Sequence, residues 1–162
     1  MKSTVILLGI FSGLFLGNFV QAQSNYNVEK RWGLQFKLPQ EVVGNLANGK
    51  INFWLTGQQE GHDFEFYMQR MDPANFPKRF QKLLAETQLQ FGGTANQLPR
   101  DLQFQKTRQF GLELEFAEIH KHHQLIIFTF MYEGKKYLGY LRSKSPAFEE
   151  IAQAVLRSIQ PV

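Results

Sequence analysis

The chain has 162 residues, a formal net charge of +4 and no cysteine. That length suggests a single domain, and the lack of cysteine excludes disulfides, thiol catalysis and thiolate metal sites. So mild a positive charge makes no case for nucleic acid as a partner.

The first 22 residues have the order of a secretory signal peptide. Lys2 precedes an apolar run from Val5 to Leu16, and Val20-Gln21-Ala22 offers small side chains for cleavage. A retained membrane anchor is the alternative, but Gly9, Ser12 and Gly13 interrupt a run already short for a span of about 20 residues. The expectation is an exported protein, periplasmic or secreted, whose net charge after loss of Lys2 is +3. Residues 23–30 are polar and read as a flexible lead-in to one domain over 31–162.

From there Trp32, Leu34, Phe36 and Leu38 alternate with polar residues and glycine, the period of a strand with one buried face, and Pro39 ends it. Residues 40–50 read as a polar connection. Ile51, Phe53 and Leu55, then Phe64, Phe66 and Met68, form two further alternating runs joined by a turn, a hairpin. A helix follows, opened by Asp72-Pro73 or by Asn75 with Pro77. Phe76, Phe80, Leu83, Leu84 and Phe91 recur at helical spacing, and Gly92-Gly93 is a stop signal.

Phe110, Leu112, Leu114 and Phe116 alternate with Gly111, Glu113 and Glu115. After His120-Lys121-His122-His123, residues 125–132 are almost wholly apolar, as in a strand covered on both faces. A turn at Glu133-Gly134 leads to a return strand over 137–141. Ser145-Pro146 reads as the cap of a last helix with Phe148, Ile151, Ala152, Val155 and Ile159 on its buried side. Trp32, Phe36, Phe53, Phe66, Phe80, Phe116, Phe128, Phe148 and Val155 are expected to share one core. The fold class is α+β, an antiparallel sheet covered by helices.

Two stretches carry a resemblance. "WGLQFKLP" (32–39) resembles the first core strand of the PsbP-like superfamily, which takes in photosystem II PsbP proteins and DcrB-like small exported bacterial proteins. "YLGYLRSKSPAFEEIAQAVLRSI" (137–159) resembles its closing strand and helix. Where many relatives carry Gly-Trp soon after Leu-Pro, this chain has Val42-Val43. The resemblance implies a PsbP-like α/β/α sandwich and an accessory, binding role, with no catalytic residue to carry over.

Candidate sites are few. Lys78, Arg79 and Lys82 cluster at the start of the first helix, where the helix dipole disfavours cations. They are the candidate binding patch for an acidic envelope protein, an acidic surface or lipid headgroups at a peripheral membrane contact. His120, His122 and His123 are the candidate metal ligands. Zinc or copper is the minority reading against a plain hairpin tip, since imidazoles must converge to bind. Glu113 and Glu115 share one strand face, and two such carboxylates can raise one pKa for acid–base work. An enzyme built on His120, His122 and Glu115 around a metal, or a carrier with an apolar cavity for a lipid or small ligand, is the alternative to an exported non-enzymatic binding protein without cofactor. A deep pocket would favour the enzyme, and a shallow groove the binding protein.

Overall fold

The computed structural model describes residues 26–40, 42–90, 103–119 and 124–162. Ten strands and two helices follow in order: β1 (Tyr26–Arg31), β2 (Leu34–Pro39), β3 (Val43–Asn48), β4 (Asn52–Gln59), β5 (His62–Met71), α1 (Phe76–Gln90), β6 (Gln105–Gln109), β7 (Leu112–Ile119), β8 (Gln124–Tyr132), β9 (Lys135–Ser143), α2 (Phe148–Arg157) and β10 (Gln160–Pro161). Seven strands form one antiparallel sheet, β3-β4-β5-β9-β8-β7-β6, and β1-β2-β10 form a second, small one. The architecture is α+β and dominated by antiparallel sheet.

The main sheet separates two apolar layers. Strand alternation turns Phe53, Phe66, Phe128 and Leu141 to one face, where they meet Leu34, Phe36 and Leu38 of β2 and Phe148, Ile151 and Val155 of α2. This layer is filled by ring contacts: Phe36 lies 5.4 Å from both Phe53 and Phe66, and Phe66 stacks on Phe128 at 5.9 Å. On the opposite face Leu83 and Leu84 of α1 cover Leu125, Ile127 and Leu138. β8 is therefore covered on both sides, which explains its unbroken apolar run. The expected single core is two: Phe80 belongs with α1 on the far face, while Trp32 and Phe116 pack at the margin of the larger cluster.

Four tight turns share one form. Trp32-Gly33, Glu60-Gly61, Phe110-Gly111 and Glu133-Gly134 have φ of 53° and 74°, 50° and 78°, 47° and 77°, and 48° and 71°. Positive φ at both central residues is the two-residue hairpin turn whose twist matches the strands it joins. Trp32 and Phe110, which alternation assigns to strands, are thus turn residues.

Other expectations are corrected. Residues 26–30, read as a flexible lead-in, belong to β1, paired along its whole length with β2. The polar connection before Ile51 contains β3, and β6 precedes the Phe110 turn. The start of the helix combines both signals: Pro73–Asn75 form a 3-10 turn and α1 begins at Phe76. Asp72 makes no side-chain cap and instead accepts from Lys135 Nζ at 2.5 Å. Ser145 is not the cap of α2, which is Ala147; its Oγ accepts from the Ala147 amide at 3.2 Å, tightening the approach.

Candidate functional site

Alternation along β5 sends Glu65 and Tyr67 to the face shared with α1. Register places Trp54 and Tyr140 on either side of Tyr67, and Arg142 beside Glu65. Glu65 is only 3 % exposed, and its Oε1 accepts from Trp54 Nε1 at 2.7 Å and from the Tyr140 hydroxyl at 2.5 Å. Arg142 Nε pairs with Oε2. A buried carboxylate needs such partners, since an unpaired charge there is strongly unfavourable. Burial, then the hydrogen bond to Glu65, pushes the Tyr140 phenol far above its ordinary pKa. An open cleft of about 380 Å³ adjoins, lined by Thr56, Asp63, Glu65, Arg142, Ser143 and Lys144. Lys144 pairs with Asp63 at 2.7 Å, so the cleft's charges answer one another. In the sequence Glu65 looks like one more polar residue on a solvated strand face; only cross-strand pairing reveals its burial.

The candidate basic patch is divided among different roles. Arg79 Nε donates to Gln69 Oε1 at 2.8 Å, and its Nη2 donates to the Tyr67 hydroxyl oxygen at 3.2 Å. Lys82 pairs with Glu86 one turn on at 3.6 Å. Lys78 is exposed. Arg79 also lines a shallow depression of about 300 Å³ with Ile51, Asp72 and Asn75.

Glu113 and Glu115 do share a face, but the unforeseen β6 lays Lys106 across them, 3.3 Å from Glu113 and 2.9 Å from Glu115. The Lys106 hydrogen bond holds the Glu115 carboxyl below its ordinary pKa, opposite to the rise an acid–base pair requires. His120, His122 and His123 lie outside the described residues. Among the described residues no three His, Asp or Glu side chains gather as a metal site, and no helix is long and apolar enough to cross a membrane.

A third surface surrounds the β6–β7 turn. Phe110 is 60 % exposed, and Val28, on β1, is 53 % exposed. Gln109 Nε2 donates to the carbonyls of Leu156 at 2.6 Å and Ile159 at 3.1 Å. The Leu156 carbonyl lies in the last turn of α2, and the Ile159 carbonyl lies just past its end. That pair of hydrogen bonds ties the end of β6, next to the turn, to the end of α2. Between them runs an open groove of about 370 Å³, lined by Val28, Phe36, Phe110 and Ala154 together with Lys37 and Arg157. Among the described residues no carboxylate pairs with either cation. The groove escaped the sequence because Phe110 continues an apolar alternation. The available signal was the repeated residue-Gly pair ahead of a strand.

No protein-family model and no curated protein matches the chain.

Proposed function

We propose that this is an exported, non-enzymatic binding protein of the cell envelope that holds an acidic, apolar-bearing partner in the groove beside Phe110. One observation carries the reading: Phe110 is both exposed and in the left-handed backbone region. A bulky residue at positive φ is uncommon and unfavourable by about 1–2 kcal/mol, and one that stands in solvent returns little packing to the fold. Such outliers gather at binding surfaces. An exposed aromatic in the wall of a concave, largely apolar groove is the form of an interface anchor. Lys37 and Arg157 in its lining favour acidic groups.

The antiparallel sheet with helices on both faces supports the finer reading, a PsbP-like sandwich. The N-terminal segment supports export. The carrier alternative has less support, since ring contacts fill the aromatic layer. The basic start of α1 is a weaker candidate surface because Arg79 and Lys82 engage partners within the chain.

The test is retrieval of partners from the native envelope by the wild-type chain and by Phe110→Asn. Asparagine suits the turn, so the variant keeps its fold while losing the ring. A partner retained by the wild type and lost by the variant supports the groove. The same partners at the same yield from both would overturn it.

A further inference from the structure

Asn48 is the one asparagine of the chain that is followed by glycine. With no side chain on Gly49 in the way, its amide nitrogen can attack the side-chain carbonyl carbon of Asn48. Asn45-Leu46 and Asn52-Phe53, in the same hairpin, are hindered by the bulk of the second residue. Asn48 and Gly49 are both exposed, so water and hydroxide reach them. The closed fold nevertheless holds the pair in the wrong shape. Asn48 ends β3, paired opposite Phe53, and the extended backbone keeps its side chain turned from the following nitrogen. The Gly49 N–H, which must lose its proton before it can attack, donates to the Asn52 carbonyl at 2.9 Å. The turn is pinned at two further points. The Lys50 carbonyl accepts from Trp32 Nε1 at 2.9 Å, and the Ile51 carbonyl accepts from the Arg70 amide at 2.8 Å.

That lock is local. Among the described residues β3 pairs with β4 alone, and its Leu46 is 52 % exposed. A segment held on one side that buries little opens at a smaller free energy than the whole fold. We propose that Asn48 is a self-modification site, silent in the closed hairpin and deamidated when β3 parts from β4. On opening, the Gly49 nitrogen gives its proton to hydroxide and bonds to Asn48 Cγ. The bond from Cγ to Nδ2 breaks, and Nδ2 leaves as ammonia with a proton from water, which restores the hydroxide. Water then cleaves either carbon–nitrogen bond of the cyclic imide, leaving aspartate or isoaspartate at position 48. Between Val43 and Gln59 the one ionisable residue is Lys50, so the product brings a carboxylate into strands that had none. Isoaspartate also routes the main chain through the side-chain methylene, which spoils the pairing with Phe53 and keeps the hairpin from closing as before. The reaction is independent of the groove, which is built from β1, β2, the Phe110 turn and α2.

The test follows the whole chain by peptide mass mapping at mildly alkaline pH, either folded in buffer or unfolded in urea. In urea Asn48 is expected to gain a single mass unit and give two separable products, while Asn45 and Asn52 stay intact. In buffer the same change should run slower by about tenfold or more. Trp32→Phe removes the indole hydrogen bond to Lys50 and should speed the folded-state reaction severalfold, with the rate in urea unchanged. Ile151→Ala weakens the core under α2 and should leave both rates as they are. Equal rates in the folded and unfolded wild type overturn the inference, and so does an unaltered Asn48 in urea. It also fails if Ile151→Ala speeds the folded-state reaction as much as Trp32→Phe does, because the reaction would then follow unfolding of the whole domain and not opening of the hairpin.

Discussion

Phe110 sets local stability against exposure. Its partner in the turn is Gly111, and Asn-Gly is the pair that a turn with two positive φ angles prefers. Phe110→Asn is therefore expected to raise stability by about 1 kcal/mol in denaturant melts, through relief of the left-handed penalty. A lower midpoint would show that the ring supports the fold, and the argument for a binding surface would fail. Tyr140 is read through pH. Its folded pKa is raised by burial and by Glu65, while the unfolded phenol titrates near 10. Below that pH its contribution is fully present. As pH rises beyond it, the unfolded chain releases a proton that the folded chain keeps, and stability falls. Tyr140→Phe should flatten this alkaline slope. Tyr132 and Tyr137 are raised in the same direction, so some slope remains. An unchanged slope would show that the Glu65 cluster does not hold the phenol.

Between elements, the contact of β8 with β9 depends on a missing side chain. Gly139 lies opposite Phe128, and a Cβ there would stand 2.3 Å from the ring and 2.6 Å from the Tyr67 carbonyl oxygen. Gly139→Ala should cost about 1–3 kcal/mol by overpacking, and Phe128→Ala about 3–5 kcal/mol by leaving a cavity. The double variant should lose less than the two together, because the ring's clash disappears while the carbonyl's remains. Strict additivity would mean that the ring moves aside freely. At α1, Arg79 ties the helix to β5, so Arg79→Glu should lower the midpoint. Lys78→Glu should leave it equal or slightly higher, since an anion suits a helix start. Equal effects would make Arg79 one more solvated cation. Legibility also divides by element. Alternation exposes β2, β4, β5 and β7 because each has a face buried in a core, while an unbroken apolar run exposes β8 and the turn after it exposes β9. β1, β3 and β6 read "YNVEKR", "VGNLAN" and "QKTRQ". They lie at edges, bury little, and take their extended form from a neighbouring strand.

At the scale of the whole molecule, the α+β class and the covered β8 were legible because periodicity reports burial. The division into two cores was not, since nothing in one strand's pattern says which helix lies over it. The same limit hid both surfaces of interest: Glu65 is enclosed by residues from β4 and β9, and the groove is assembled from four separate segments. The strand order has a further consequence, for the path by which the chain folds. β3-β4-β5 and β6-β7-β8-β9 are each meanders of consecutive neighbours, joined in the main sheet along β5 and β9. Hairpins with tight turns form in about 1–10 μs, whereas strands far apart in the chain must first close a long loop. The seam from Phe64–Ser143 to Met71–Lys136 is thus the late event, the closing of two preformed halves. Damage within one meander, already formed when the halves meet, should chiefly slow folding, while damage along the seam, formed last, should chiefly speed unfolding.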